Sequence, residues 1–211
     1  YLQYRPDPDL FWYNRPHLKN HTDVTDHAYR TTNSLGFRSM DEIPEEKEDN
    51  EYRIFIIGDS STFGLGVNDA EAYAMVIQRT LSERSNRPVR VINSACPGHT
   101  TFQGMNLYKR YGQHMKVDLL LRSYNNDSCL DMVRDKDRVS NNPTVVKSQR
   151  LLYKSDLYLL SKRVMLDWAY AWKLEKYRKL YPKDKSDWVR SVPFDEYKGF
   201  LNELKAMTKK S

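Results

Sequence analysis

The residues of this chain that could do covalent chemistry begin with a serine between glycines. Residues 58–64, the first loop, read Gly-Asp-Ser-Ser-Thr-Phe-Gly and directly follow a short apolar run. The glycines permit tight turns, so Ser60 would be exposed there and could act as a nucleophile once a base removes its proton. A Gly/Ser loop can instead bind phosphate, although no lysine supplies the Gly-Lys-Ser/Thr ending of a P-loop. The first loop by itself leaves both alternatives open.

Two further polar clusters favour acyl transfer. Residues 93–99, the second loop, read Asn-Ser-Ala-Cys-Pro-Gly-His, and residues 123–127, the third loop, read Ser-Tyr-Asn-Asn-Asp. Acyl transfer needs N–H donors that converge on the developing oxyanion. The backbone N–H groups of Ser60 and Gly98, with the side-chain amide of Asn126, are the candidate donors.

Each of these loops follows a predicted strand. Apolar runs predict strands at residues 52–57, 89–92 and 117–123, and helical periodicity between them predicts helices at 69–83 and from about residue 100. Strands that alternate with helices over short loops indicate right-handed βαβ units, and hence an α/β fold with a parallel sheet. Ligands bind outside the carboxyl ends of such strands, which is where the three loops would meet.

The two predicted helices have defined apolar faces. Asp69 is the predicted N-cap of the first helix, and its apolar face comprises Tyr73, Val76, Ile77 and Leu81. The second helix starts near Thr100, with an apolar side made of Phe102, Met105, Tyr108, Tyr111 and Met115.

The rest of the chain divides around this α/β segment. Residues 1–50 read as an irregular lead-in with short strands near 28–32, and residues 51–211 as one domain with a helical insertion at about 144–182. The insertion carries a helical seam that should pack on the core or cover its crevice, formed by Leu157, Leu160, Val164, Trp168 and Trp172. A last helix begins near Pro193 and uses Phe194, Tyr197, Phe200, Leu201 and Leu204.

Composition and charge narrow the classes of partner. The mean hydropathy is -0.79, and no run reaches the ~18 to 20 apolar residues that a membrane span needs. Most of the +6 net charge lies in residues 162–185, which could meet an anionic glycan, a membrane surface or nucleic acid; a solvated helix face is the favoured interpretation. No nucleic-acid fold pattern is present.

Cys96 and Cys129 are read as ordinary thiols, and no cofactor or metal is predicted.

The three loops together resemble the conserved blocks of the SGNH (GDSL-like) hydrolases. The first loop resembles the block that carries the nucleophile, here Ser60; the loop ending at Gly98 resembles the block whose glycine donates a backbone N–H. Residues 124–127 are similar to the Gly-x-Asn-Asp block, which makes Asn126 the side-chain donor, and residues 32–38 resemble the lead-in of a bacterial subgroup. The resemblance covers residues 32–127. It implies a three-layer, flavodoxin-like α/β/α fold, incomplete at the C-terminus, with the first strand between the second and the third.

The sequence departs from the family pattern at two points. Tyr124 stands where the family usually has Gly, which leaves Asn125 as an alternative to Asn126. The family's Asp-x-x-His block has no counterpart, since the histidines are His17, His21, His27, His99 and His114. We expect that this block lies beyond Ser211 and that residues 1–211 alone are nearly inactive. His99 is the alternative base, and Asp59 is expected to brace the first loop.

The resemblance implies a serine esterase that acts on O-acyl or O-acetyl esters of small molecules or glycans through an acyl-enzyme on Ser60. An O-acyltransferase of the same fold is one alternative, and a non-catalytic carbohydrate-binding or scaffold domain is another. No nucleic-acid partner is expected. Membrane association would require a segment upstream of Tyr1, and an export signal or anchor there would place the protein outside the cytoplasm; otherwise the compartment is open.

Overall fold

One parallel sheet is surrounded by short strands and by helices. The computed structural model describes residues 3–22, 27–44, 46–128, 130–131, 135–139, 142–152, 154–158, 160–161, 164–165, 189–190 and 192–208. The strands within these ranges are β1 (Tyr4–Asp7), β2 (Phe11–Asn14), β3 (His21–Thr22), β4 (Tyr29–Arg30), β5 (Tyr52–Gly58), β6 (Val89–Asn93), β7 (Leu119–Ser123), β8 (Leu130–Asp131) and β9 (Val189–Arg190). The helices are α1 (Ser60–Phe63), α2 (Tyr73–Arg84), α3 (Thr101–Arg110), α4 (Pro143–Leu152) and α5 (Phe194–Thr208).

The central sheet has the order β6-β5-β7, and all its strands are parallel. This confirms the α/β class, the three predicted strands and the middle position of the first of them. β5 is buried along nearly its whole length because its side chains alternate between two covered faces. Phe55 and Ile57 pack in the cluster that includes α3, whereas Ile54 and Ile56 pack with Ala74 of α2.

The helix prediction is correct for the start of α3, although α3 ends at Arg110, before Tyr111 and Met115 of its predicted apolar side. The prediction for α2 is partly wrong. α3 begins one residue after its N-cap Thr100, whose side chain shares a capping box with Gln103. α2 begins at Tyr73 rather than at Asp69, because Asp69 lies in a preceding 3₁₀ turn, Asp69–Glu71. The Asp69 carboxylate accepts hydrogen bonds from Thr31 N–H at 3.1 Å and Arg38 Nε at 3.1 Å, so it does not cap α2.

The predicted apolar face of α2 is correct for Ile77 and wrong for its other three residues. Tyr73, Val76 and Leu81 are each more than a third exposed. Ala74 is buried and Ile77 packs beside it against the sheet. Ala74 and Ile77 therefore belong to the side of α2 that packs on the sheet.

The N-terminal segment is more ordered than the sequence suggested. β1 and β2 form an antiparallel hairpin, and the predicted short strands near 28–32 are present as β4 and a bridge between Thr32 and Arg38. Leu10, Tyr13 and Phe37 are completely buried in the same cluster as Phe55. The segment is therefore part of the core that supports the sheet.

The predicted helical seam of the C-terminal third does not cover the core where it is described. Leu157, Leu160 and Val164 are 77%, 61% and 58% exposed, and Trp168 and Trp172 lie outside the described residues. The apolar side of α3 is instead packed against α5, through the buried Leu204 and through Phe200. α5 confirms the last predicted helix. Among the described residues, no helix has the length and apolar character needed to cross a bilayer.

Candidate active site

The three predicted site residues lie on loops at one edge of the sheet. Because the strands are parallel, the carboxyl ends of β6, β5 and β7 share this edge, with β5 in the middle. Ser60, Gly98 and Asn126 follow these three ends. The loops are joined directly: Cys96 N–H donates to Gly58 O at 3.1 Å, and Asp59 N–H donates to Ser123 O at 3.3 Å.

The first loop turns sharply from β5 into α1. A Cβ at Gly58 would lie 2.2 Å from Thr62 Oγ1, so only glycine allows this close approach. Asp59 is the N-cap of α1, and its Oδ1 accepts a hydrogen bond from Ser61 N–H at 3.1 Å. Gly64 ends the helix in the left-handed conformation and donates its N–H to Ser60 O. Ser60 is thereby fixed as the first helical residue after the central strand.

Three consecutive hydroxyl side chains follow Asp59, and two of them are used structurally. Ser61 Oγ donates to Asp59 Oδ1 at 2.8 Å, and Thr62 Oγ1 donates to Ser123 O at 2.9 Å. Ser60 is half-buried, and within the described part of the chain no residue is hydrogen-bonded to its hydroxyl. Of the three hydroxyls, that of Ser60 is the one without a hydrogen-bond partner among the described residues.

Asp59 also connects the first loop to the third. Its carboxylate is almost completely buried, and Oδ2 accepts a hydrogen bond from Asn125 N–H at 2.6 Å. Charge-assisted hydrogen bonds of this kind are roughly twice as strong as neutral ones. The expectation that Asp59 braces the loop is confirmed.

The second loop is held from outside the sheet by the β1–β2 hairpin. Trp12 Nε1 donates to Pro97 O at 2.8 Å, and Asn14 Nδ2 donates to Ala95 O at 2.9 Å. Gly98 has φ = 81°, and a Cβ there would lie 2.9 Å from the Trp12 ring. A side chain at position 98 would therefore be strained and would also collide with the hairpin.

His99 uses one ring nitrogen to contact the β1–β2 hairpin. Its Nε2 lies 2.9 Å from Trp12 O, and because a carbonyl only accepts, this nitrogen carries the proton. Burial lowers the His99 pKa to about 4, although the hydrogen bond to the Trp12 carbonyl opposes the shift. The imidazole is neutral near pH 7 and uses Nε2 to hold the hairpin against the second loop.

The third loop directs Asn126, rather than Asn125, toward the second loop. Asn126 Nδ2 donates to His99 O at 3.3 Å, whereas the side chain of Asn125 is exposed. Asp127 anchors this loop to α3, since its Oδ1 accepts from Thr101 N–H at 2.6 Å and its Oδ2 from Arg122 Nη2 at 2.6 Å. The amide of Asn126 thus lies beside the loop that carries Gly98.

Tyr124 is accommodated by a glycine on α3. A Cβ at Gly104 would lie 1.7 Å from the Tyr124 hydroxyl oxygen. This hydroxyl is buried without a hydrogen-bond partner among the described residues, and burial raises the Tyr124 pKa well above its usual value. The tyrosine therefore fills space beneath the third loop as an apolar ring would.

Sequence reasoning missed three residues that support the site, Trp12, Asn14 and Arg38. Arg38 is buried, and its guanidinium donates to Phe63 O at 2.9 Å, to Val67 O at 2.7 Å and to Gly64 O. The aromatic run Phe-Trp-Tyr at 11–13, after the Pro- and Asp-rich residues 6–9, is a strand-and-turn pattern that could have revealed the hairpin.

Comparison with known protein families and with curated proteins finds no match to this chain.

Proposed function

We propose that this protein is a serine-dependent hydrolase of the SGNH type, with a three-layer, flavodoxin-like fold, that cleaves O-acyl esters through an acyl-enzyme on Ser60. One observation carries the proposal. Ser61 and Thr62 are committed to hydrogen bonds, whereas the half-buried Ser60, at the carboxyl end of the central strand, keeps its hydroxyl available. The central strand end is where the resemblance assigns the nucleophile.

In the proposed reaction, Ser60 Oγ attacks the ester carbonyl carbon and its proton passes to a base. The C–O bond to the alcohol then breaks, the alcohol leaves with a proton, and water hydrolyses the acyl-serine to release the acid. The N–H groups of Ser60 and Gly98, with the Asn126 amide, would bind the oxyanion. Within the described residues those two N–H groups have no hydrogen-bond acceptor, which supports this role.

The base in this proposal is not His99, whose Nε2 proton is directed at the Trp12 carbonyl. The resemblance implies an Asp-x-x-His block, which residues 1–211 do not contain. An alcohol with no base to deprotonate it is a weak nucleophile. Residues 1–211 are therefore expected to retain only the residual ~10³- to 10⁴-fold acceleration over water that oxyanion donors supply without a complete triad.

Chemical rescue tests the proposal. The hydrolysis of p-nitrophenyl acetate by residues 1–211 is measured with and without added imidazole, which can supply the base, for wild type, Ser60→Ala and Ser61→Ala. We expect imidazole to raise the wild-type and Ser61→Ala rates above that of imidazole alone, and to have no such effect on Ser60→Ala. Intact mass spectrometry should find an acetyl group on Ser60.

Equal imidazole-dependent rates for wild type and Ser60→Ala would contradict the assignment of the nucleophile. A sugar acceptor added to the same assay separates the two reaction outcomes. Acetate as the product supports a hydrolase, whereas an acetylated sugar formed at the expense of acetate would identify an O-acyltransferase.

A further inference from the structure

A second concave site lies on the outer side of α3. It is a cavity of about 860 Å³, bounded by the turn of the β1–β2 hairpin, by α3 and by α4 with its neighbouring residues. Six of its thirteen lining residues are basic and two are acidic, and Ser60, Gly98 and Asn126 are not among them. The volume falls within the range of ordinary ligand pockets. The cavity is therefore large enough for a ligand and is distinct from the candidate active site.

At the base of this cavity, two aspartates and two arginines form one network of hydrogen-bonded ion pairs. Arg110 donates to both carboxylate oxygens of Asp7, at 2.7 and 2.9 Å, and to Asp9 Oδ2 at 2.9 Å. Arg150 of α4 also donates to Asp9, and Asn106 Nδ2 donates to the Asp9 carbonyl at 3.2 Å. Burial raises the Asp7 pKa, but the hydrogen bonds and charge of Arg110 outweigh it, so the pKa lies below its ordinary value. Asp7 and Arg110 both stay charged, and these bonds connect the hairpin turn to α3 and α4.

The remaining cations are available to a ligand. Arg5 and Lys154 are exposed, and neither makes an ion pair with another described residue. Lys109 pairs with Glu203 at the surface, and Lys136 pairs with Glu196, whose side chain is largely buried. The exposed Lys109–Glu203 pair is worth little and can be exchanged for an anionic ligand. The cavity therefore presents a net positive charge around its Asp–Arg base.

The remaining chemistry of the lining favours a sugar ligand. Phe102 and the two prolines of the hairpin turn, Pro6 and Pro8, give the cavity apolar surface against which a pyranose ring can pack. The carboxylate oxygens of Asp7 and Asp9 Oδ2 already accept from described donors, whereas Asp9 Oδ1 accepts from none of them and can take a hydrogen bond from a sugar hydroxyl. Carboxylate or sulfate groups on the same ligand would be bound by the outer cations. We propose that this cavity binds an anionic oligosaccharide.

The test uses trigalacturonate, with maltotriose as the neutral probe, and residues 1–211 in isothermal titration calorimetry. We expect trigalacturonate to bind and maltotriose not to bind detectably. The double variant Arg5→Gln/Lys154→Gln should lower the affinity roughly tenfold, since two cation contacts are lost. The matched control Arg79→Gln/Lys147→Gln removes the same charge from exposed sites that do not line the cavity, and should stay within about twofold of wild type.

Failure of trigalacturonate to bind, or equal losses in both double variants, would overturn the proposal. So would tighter binding of an oligothymidylate, or competition by inorganic phosphate at equal charge concentration, which would identify a general anion site. Unchanged thermal unfolding of the two double variants shows that they are folded. Because Ser60 is absent from this cavity, binding by Ser60→Ala at wild-type affinity is expected whether or not the proposed hydrolase activity exists.

Discussion

The first and second loops lie side by side at the same sheet edge, yet they are held by different kinds of group. The first loop is held by charged groups: the Asp59 carboxylate braces it from within, and the Arg38 guanidinium binds two of its carbonyl groups and that of Val67 beyond it. The second loop is held by neutral groups, the indole of Trp12, the amide of Asn14 and the imidazole of His99. The difference predicts that different changes destabilise the two loops.

Charged groups hold a loop strongly, but each of them needs its partner to remain in place. Removing one member of a buried, hydrogen-bonded charge network leaves the others desolvated and unpaired. A neutral support costs less to desolvate, but a member that takes up a proton becomes a buried charge, which is costly. We therefore expect the first loop to be sensitive to substitution at Arg38 and the second loop to be sensitive to acid.

The largest effect is expected for Arg38→Met, which keeps the length of the side chain and removes the charge. Asp69 loses its charged partner and the Val67 carbonyl group loses its donor, so unfolding should become easier by about 3–5 kcal/mol. Urea denaturation measures this change. Arg38→Lys should recover only a minor part, because one ammonium group cannot reach all of these acceptors. A Met variant as stable as wild type would remove the contrast between the loops.

The next effect is a loss of stability in acid through His99. Its pKa is about 4 in the folded chain and ordinarily 6.5, so the unfolded chain binds the proton more readily between these values. The stability that neutral His99 contributes is fully present above about pH 6.5. It is lost as the pH falls, and the loss reaches about 2–3 kcal/mol by about pH 4.5. The measurement is urea denaturation at several pH values for wild type and for His99→Gln, which can still donate to the Trp12 carbonyl but does not titrate. Identical pH profiles for the two proteins would show that His99 is not the acid-sensitive group.

The smallest effect extends the comparison to the third loop and concerns the contact between its Tyr124 and Gly104 of α3. Gly104→Ala introduces a methyl group into the Tyr124 hydroxyl and should destabilise the fold by about 1–3 kcal/mol, despite the better helix propensity of alanine. Tyr124→Phe alone should change the stability little, since the hydroxyl has no partner among the described residues. The double variant should be more stable than Gly104→Ala, because the colliding oxygen is gone. Additive losses in this double-mutant cycle would show that the two positions do not interact.

The parts of the fold that sequence reasoning predicted depend on local patterns. The runs at 52–57 and 89–92 and the apolar spacing of the helix after Thr100 are contained within single elements, and short connections leave few topologies for them. The same reasoning placed Ser60, Gly98 and Asn126 after three successive strands. It failed for α2, where the Asp69 carboxylate bonds to Thr31 and Arg38 rather than to the start of the helix.

The sequence by itself determined the order of the strands along the chain and the residue types at their carboxyl ends, because periodicity and turn residues act over a few positions. Only the tertiary structure decided that the Ser60 hydroxyl has no hydrogen-bond partner among the described residues, that His99 is a buried neutral support, and that the N-terminal hairpin holds the second loop. Trp12 and Pro97 are 85 residues apart, and no local pattern encodes their hydrogen bond. Such contacts form only once the sheet has brought distant segments together, and the burial that sets the His99 pKa arises at the same step.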